Sequence, residues 1–251
     1  KKKLFIKFFL QQAYDSSYAA FFSTFDELKE AKKNLKIKNA FVIPNGLSLK
    51  KYKERSLKDR AKKKILFFGR VHKKKGLNLL IDVIKKLPED YFDKFYFEIT
   101  GPGSRKDINN LKQLLTDRLL QKRVSYNNPI YGTNKIEYLK NYDIFVLPSF
   151  EEGDSIALKE ALGSYLPVII SRQCRIDIVE KYKAGIVIET NKKSLYDSLI
   201  NLKSLDLIKM GYAARGLIEE KFDNKICSKR LKDVYIDIFN GTKKSNDWIQ
   251  D

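Results

Sequence analysis

The segment PSFEEGDSIALKEALG, Pro148 to Gly163, carries two carboxylates, Glu152 and Glu160, with seven residues between them. It follows the apolar run DIFVL, and polar residues near its centre can cap a helix. Glu152 therefore falls in a strand-to-helix loop and Glu160 in the helix. Glu160 lies about 9 Å along the axis from the helix start, and helical side chains tilt back towards the N-terminus. Both carboxylates can then face one cleft, where each could accept hydrogen bonds from the paired hydroxyls of a sugar ring.

Between the two carboxylates lies the start of the predicted helix, where either Asp154 or Ser155 can serve as the cap. Free backbone N–H groups at a helix start favour an anion. The alternative for Glu160 is a solvated helix residue. Its apolar neighbours on both sides place it at the edge of a buried stripe, which makes a purely solvated role the weaker interpretation.

A second charged segment, FFGRVHKKKG from Phe67 to Gly76, joins a strand to a helix start. Arg70 can grip a phosphate through two parallel hydrogen bonds, and Lys75 adds a point charge, so the pair suits a diphosphate. Taken alone, the segment fits surface charge in a Lys-rich chain better than a ligand site. His72 lies in this loop, and we interpret it as incidental.

The turn ITGPGSR, residues 99–105, is a third candidate because its glycines allow backbone to approach a ligand closely. It matches neither G-x-x-x-x-G-K-[ST] nor a full G-x-G-x-x-G. By itself it indicates a plain turn.

The elements that must position these segments alternate between strand-like and helix-like stretches nearly end to end, which predicts a parallel α/β sheet. The apolar strand candidates are 19–23, 39–43, 64–68, 95–100, 123–126, 143–147, 167–171 and 185–189. The helix candidates are 76–87, 106–120, 135–140, 155–165, 192–202, about 205–221 and 224–239. Ligands of such sheets bind at the carboxyl ends of the strands, where both charged segments begin.

A polar, highly charged segment after the turn PNG marks a domain boundary. Residues 1–46 are expected to be the end of a preceding α/β domain, and 47–63 a linker. Residues 64–205 are expected to form a Rossmann-like domain, followed by C-terminal helices over 206–251.

The chain of 251 residues is strongly basic, with a formal net charge of +19 and 22 basic against 6 acidic residues among the first 75. Such charge suits nucleic acid, an anionic membrane surface or a phosphorylated ligand, and equally a solvated Lys-rich surface. Binding of nucleic acid is the weaker option, because neither a zinc pattern nor a helix-turn-helix pattern accompanies the charge.

Metal chemistry is disfavoured by the residue types. Cys174 and Cys227 lack the spacing of a metal site and His72 is the only histidine, so reduced thiols, no metal and a cytoplasmic location are expected. No apolar run approaches the roughly 18 residues of a spanning helix. The run LFIKFFL, residues 4–10, fits either a helix packed on its own domain or one lying on a membrane surface.

The order of these segments resembles the retaining nucleotide-sugar glycosyltransferases of family four, the glycosyl transferases group 1. The shared features are GR-x-x-x-x-KG, a glycine-rich turn, DIFVLPS, an E-G pair with a second glutamate eight positions after the glutamate of that pair, LPVIIS and AGIVI, over roughly residues 15–240. The resemblance implies the GT-B fold of two Rossmann-like domains. This chain would hold mainly the C-terminal, donor-binding domain and only a remnant of the acceptor domain, as a piece of a longer protein.

Three catalytic residues are implied by the resemblance. Arg70 and Lys75 would bind the donor diphosphate and stabilise negative charge as the sugar departs, and Glu152 would contact hydroxyls of the transferred sugar. Arginine, lysine and helix dipoles replace a metal ion in this scheme, so neither metal nor cofactor is implied.

The remaining implied roles are contacts to the donor substrate. Glu160 would hold the ribose hydroxyls, and residues around Ile130 would lie against the base. The other donor contacts are positions in the two loops, namely Gly69, Gly153, Asp154 and Ser155. The family often has E-G-F-G where this chain has Glu152-Gly153-Asp154-Ser155, so an extra acid lies near the donor.

The expected function is transfer of a hexose-type sugar from a UDP-, GDP- or ADP-sugar to a glycan or lipid-linked acceptor with retention. The basic first third would favour peripheral docking at the inner membrane face. Two alternatives stay open: a basic nucleic-acid-binding module, and an α/β scaffold that keeps the fold without the activity. The sugar, the base, the acceptor and the oligomeric state are not determined by the sequence.

Overall fold

The computed structural model describes residues 6–54 and 56–242, with side chains from residue 8 onward. The chain divides into two compact units. The larger comprises Leu49–Glu219, and the smaller combines the N-terminal part through Ser48 with the part from Glu220 onward. The larger unit thus includes the charged segment after Ser48 and the helix after residue 206, which the sequence assigned to a linker and to a separate C-terminal group.

All eight strands expected from the sequence are present, with ends within one residue of the expected ones. They are β1 (Ala20–Phe22), β2 (Ala40–Val42), β3 (Lys63–Phe68), β4 (Phe95–Thr100), β5 (Val124–Asn127), β6 (Ile144–Leu147), β7 (Val168–Ser171) and β8 (Gly185–Ile188). The last six form one parallel sheet in the order β5-β4-β3-β6-β7-β8. Counted along the chain this is 3-2-1-4-5-6, the order of dinucleotide-binding Rossmann folds.

The strand order reverses between β3 and β6, which are neighbours in the sheet although β4 and β5 separate them in the chain. Crossovers leave this point in opposite directions, so a crevice opens outside the carboxyl ends of β3 and β6. The two charged segments singled out in the sequence, after Phe68 and after Leu147, both begin at this crevice.

Burial of the strands explains why the sequence shows them clearly. Every residue of β6 and β7 is buried, as are the last four of β3. Strands covered on both faces read as continuous apolar runs. The largest fully buried side chains of the core include Phe67, Phe95, Phe97, Phe145, Ile65 and Leu66.

Helices connect and cover the strands. Their bounds are α1 (Gln11–Asp15), α2 (Phe25–Asn34), α3 (Leu77–Ile84), α4 (Tyr91–Lys94), α5 (Arg105–Leu114), α6 (Arg118–Gln121), α7 (Asn134–Leu139), α8 (Ile156–Gly163), α9 (Ile178–Lys181), α10 (Lys192–Asn201), α11 (Leu207–Leu217) and α12 (Asn224–Phe239). The single helix expected over 106–120 is therefore wrong, because two helices stand there. Asp117 accepts a hydrogen bond from the Leu119 N–H at 2.9 Å and caps the second helix, and such local bonds end one helix and start another.

In the smaller unit, β1 and β2 form a parallel pair joined through α2. Thr24 caps α2 by accepting from the Glu27 N–H at 3.2 Å, and the Glu27 carboxylate accepts from the Ser23 N–H at 3.0 Å. These reciprocal bonds fix the strand-to-helix turn. The Phe21 ring packs against Tyr235 of α12 at a centroid distance of 5.6 Å.

Within the described ranges, no helix combines the length and the apolar character that crossing a membrane requires.

Candidate functional site

The two loops at the crevice are joined directly to each other. The carbonyl oxygen of Lys74 accepts from the Phe150 N–H at 2.7 Å and from the Ser149 hydroxyl at 2.8 Å. These bonds connect the loop after β3 to the loop after β6, so residues 70–76 and 148–155 are positioned as one structure. The sequence motifs at the two loops therefore belong to one site.

Gly76 makes this close approach sterically feasible. It has a left-handed backbone with φ of 71°, and a Cβ atom built on it would lie 1.8 Å from the carbonyl oxygen of Pro148. Only glycine combines this dihedral angle with this contact. The final glycine of the GR-x-x-x-x-KG pattern thus has a packing role between the loops.

Lys75 and Glu152 form an ion pair across the crevice. The Lys75 ammonium lies 2.6 Å from both carboxylate oxygens, and the Glu152 side chain is 5% exposed. Charged groups this far from water are as a rule paired with an opposite charge. Two residues expected at the site from the sequence are therefore in direct contact.

Glu160 makes a second pair, with a lysine that the sequence did not indicate. Lys135, near the start of α7, donates to the Glu160 carboxylate, whose side chain is 10% exposed. Burial is the main cause of a raised pKa of the Tyr52 phenol, and the negative charge of nearby Glu160 raises this pKa further. Glu160 is thus a buried carboxylate at the crevice rather than a solvated helix residue.

A third pair lies inside the loop and helix. Lys159 of α8 pairs with Asp154, and their side chains are only 1% and 4% exposed. Ser155 is the residue that caps α8, by accepting from the Leu158 N–H. The Asp154 carboxylate therefore faces Lys159, which compensates the extra acid near the predicted donor position.

The far end of α8 is fixed by Arg215 of α11. Its guanidinium is buried and donates to the carbonyl oxygens of Gly163 at 3.0 Å and Tyr52 at 3.1 Å. Positive charge at a helix C-terminus is also favourable for the helix dipole. The helix that carries Glu160 is thereby held at both ends.

The helix that carries Lys135 is fixed by a buried polar network around Glu98 of β4. The Tyr138 hydroxyl donates to Glu98 at 2.6 Å and shares a 2.7 Å hydrogen bond with Thr100, and Tyr142 and Asn127 donate to the same carboxylate oxygen. Burial and the bond to Glu98 raise the pKa of Tyr138. This network was not expected from the sequence, and it anchors α7 to the sheet.

Other predicted residues are at the crevice loops without such pairings. Arg70 is exposed and makes no ion pair with any residue in the described part of the chain. The space where a Cβ atom of Gly69 would lie is open. Gly153 is exposed, and Ile130 is partly buried in the loop between β5 and α7. Their contacts with a donor stay predictions.

His72 serves its own loop, because its Nδ1 accepts from the Lys74 N–H at 3.3 Å. Across residues 6–54 and 56–242, no group of three or more His, Cys, Asp or Glu side chains is arranged to hold a metal ion.

A parallel sheet with this strand order and switch point defines a Rossmann-like α/β domain, and comparison with known proteins identifies the family. The family model of glycosyl transferases group 1 matches residues 48–215. The chain belongs to this family.

Two curated relatives illustrate the match. The Escherichia coli UDP-Gal:alpha-D-GlcNAc-diphosphoundecaprenol alpha-1,3-galactosyltransferase is 30% identical over 218 residues, which cover 78% of this chain and 54% of that protein. An uncharacterised glycosyltransferase of Methanocaldococcus jannaschii is 25% identical over 216 residues, covering 79% and 53%. The chain thus spans about half the length of the curated relatives it matches.

Solved structures support the fold. Anabaena HepE in complex with UDP matches with a TM-score of 0.79 at 15% identity, covering 94% of this chain and 68% of that one. Sucrose-phosphate synthase from Thermosynechococcus elongatus matches with a TM-score of 0.78 at 17% identity, covering 93% and 61%. The expected GT-B type α/β fold is confirmed.

Proposed function

We propose that the larger unit is the donor-binding half of a retaining family-four glycosyltransferase and binds a UDP-sugar in the crevice between β3 and β6. The observation that carries the proposal is that two ion pairs, Lys75–Glu152 and Lys135–Glu160, lie at the switch point of the sheet. Buried carboxylates there are acceptors for sugar and ribose hydroxyls, and the adjacent cations suit phosphate oxygens.

In this proposal Arg70 and Lys75 hold the diphosphate and stabilise the negative charge that develops as the sugar–phosphate bond breaks. Preorganised cations and helix N–H groups lower the barrier because they need no reorganisation at that moment. The start of α8, which follows the Ser155 cap, presents the positive end of the helix dipole to the same charge. Glu152 orients the transferred hexose through its hydroxyls.

The nucleoside end of the donor lies towards α7. Glu160 accepts from the ribose hydroxyls, and the backbone around Ile130 lies against the base. Gly69 leaves open space above its Cα atom, where a phosphate can approach the backbone closely.

Relatives favour UDP over GDP and ADP. The E. coli relative is named for UDP-Gal, and structures of Anabaena HepE, S. aureus TarM and pneumococcal GtfA were solved with UDP. Titration calorimetry of UDP, GDP and ADP into the chain, beside a Glu160→Gln variant, tests this choice. Saturable binding of UDP that weakens about tenfold or more in the variant is expected, since a hydrogen bond to a charged group contributes about 1.5–3 kcal/mol.

A matched control is Glu137→Gln, which removes an exposed glutamate of α7 paired with Lys140. It should leave UDP affinity unchanged. Binding of GDP or ADP in preference to UDP would overturn the choice of base. Absence of binding by all three, with retained affinity for DNA that falls steeply with salt, would instead favour the nucleic-acid-binding alternative.

Retention of configuration is the proposed stereochemical course. An α-linked UDP-sugar incubated with the chain should yield the α anomer first, in slow hydrolysis or in transfer. Proton NMR of the early product distinguishes the two anomers before mutarotation, and an initial β anomer would contradict retention.

We also propose a lipid-linked or glycan acceptor and peripheral attachment at the cytoplasmic face of the inner membrane. The E. coli relative is named for a diphosphoundecaprenol acceptor. Phe8 and Phe9 are exposed on the N-terminal helical turn, as expected of a helix that lies on a membrane surface. Co-sedimentation with phosphatidylglycerol vesicles, but not with phosphatidylcholine vesicles, is expected. Equal binding to both vesicle types, or to neither, would contradict electrostatic docking.

A further inference from the structure

The Glu160 carboxylate has one cationic partner among the residues that the structure describes, and this partner is Lys135. The glutamate side chain is almost fully removed from water, and Tyr52 lies nearby. A carboxylate in such a place loses hydration, so without a cation it would turn towards solvent. Lys135 therefore determines the direction of this carboxylate.

Helix stability does not explain a lysine at this position. Lys135 is the second residue of α7, and a positive charge in the first turn is unfavourable for the helix dipole. The interaction with Glu160 compensates for this placement.

The position of Lys135 is also well determined. Tyr138 lies three residues later, on the same side of α7, and its hydroxyl is bonded to Glu98 and Thr100 of the sheet. α8 is held at its far end by Arg215. The contact between Lys135 and Glu160 thus joins two anchored helices.

We propose that Lys135 is a positioning residue of the donor site, which holds Glu160 in the direction from which it accepts from both the 2′- and 3′-hydroxyls of the donor ribose. The inference rests on the proposed role of Glu160. It adds to that role a residue from a different helix, which acts through the carboxylate.

The test compares UDP with 2′,3′-dideoxy-UDP by titration calorimetry in four proteins: wild type, Lys135→Met, Lys135→Arg and Lys140→Met. Wild type should bind UDP about tenfold or more tighter than the dideoxy compound, because charge-assisted hydrogen bonds to hydroxyls are lost. In Lys135→Met this ratio should fall to about threefold or less. Lys135→Arg keeps the cation and should retain most of the ratio.

Lys140→Met is the matched control. It places the same substitution one residue beyond α7, at a lysine paired with the exposed Glu137 instead. This variant should keep the wild-type ratio. Circular dichroism melting confirms that each variant is folded, and Lys135→Gln replaces Lys135→Met if the latter is not.

The outcomes separate this inference from the function on which it rests. A purely structural Lys135 would weaken UDP and dideoxy-UDP equally in Lys135→Met, leaving the ratio unchanged, and that result overturns the inference alone. A wild type that binds both compounds equally overturns the role of Glu160 as well. Loss of the ratio in Lys135→Met, with its retention in both other variants, supports the proposal.

Discussion

Replacement of Lys159 by methionine should destabilise the larger unit far more than any exposed lysine substitution. Methionine keeps most of the side-chain volume but removes the ammonium that faces Asp154. The two side chains are 1% and 4% exposed, so the variant removes the cation that faces the Asp154 carboxylate in a site that water barely reaches. The expected effect therefore comes from the buried charge and not from a cavity.

The magnitude follows from the burial. Breaking a buried ion pair by removing one partner costs about 3–5 kcal/mol, whereas removing both charges is often close to neutral. For a domain of this size about 2–4 °C of melting temperature corresponds to each kcal/mol, so Lys159→Met should lower it by roughly 6–20 °C. The double variant Asp154→Asn/Lys159→Met should recover at least about half of that loss.

Differential scanning calorimetry measures the effect, because the transition of larger enthalpy reports the unit from Leu49 to Glu219. Lys192→Met is the control, since Lys192 pairs with Asp82 between two side chains that are about half exposed. An exposed pair contributes less than about 1 kcal/mol. Melting of Lys159→Met at the temperature of Lys192→Met would contradict a buried-charge origin of the effect, and so would a double variant as unstable as the single one.

Three further predictions concern the same crevice. Arg70→Ala should lower UDP affinity about tenfold or more in calorimetry and leave uridine affinity unchanged. The melting temperature should also stay unchanged, because the exposed guanidinium has no ion pair to lose within the described chain. An equal loss of affinity for uridine would contradict a phosphate contact. Gly76→Ala should lower the free energy of unfolding measured in urea by more than about 3 kcal/mol, because its Cβ would meet the Pro148 carbonyl. The control Gly216→Ala, with open space around its Cβ, should leave that free energy unchanged or raise it. Burial raises the pKa of Cys174 from 9.0 to about 11, so the folded protein keeps a proton that the unfolded chain releases. Stability on the order of 1 kcal/mol should therefore be lost as the pH rises from well below 9 to 10. Urea unfolding of Cys174→Ala should show a smaller decline over this range, and an identical decline would contradict the raised pKa.

The fold was largely predictable from the sequence because the strands of this sheet are buried on both faces. A run such as IFVL in β6 or VIIS in β7 is apolar throughout and bounded by turn residues. The short helices α4 and α9 were not predicted, since helices of four residues depend on tertiary contacts and have no periodicity of their own. The break between α5 and α6 was missed for a related reason, because apolar residues continue on both sides of Asp117.

The site was predictable in part. Lys75 and Glu152 follow two strands that end at the same edge, so their types and positions in the chain place them in one region. The partner of Glu160 was not predictable, because Lys135 lies 25 residues earlier and its approach depends on where α7 packs. One feature of the sequence indicates the role of Lys159, namely that it stands next to Glu160 in an otherwise apolar run. In the structure the residues of this run from Leu158 to Gly163 are all buried. Two adjacent charges in a buried run indicate ion pairing, which burial of a charge requires.

The charge of the whole chain and the charge of the crevice differ in origin. The net charge is +19, yet three lysines at the crevice are each paired with an acid, in Lys75–Glu152, Lys135–Glu160 and the exposed Lys74–Glu151 pair. The overall excess of lysine therefore does not by itself create an anion site there. Arg70 is available to a diphosphate, as is the positive end of the α8 dipole. A diphosphate that displaces part of the Lys75–Glu152 contact would also gain charge from Lys75. Nucleotide affinity should consequently depend on a few directed groups rather than on the diffuse basicity that first suggested an anionic partner.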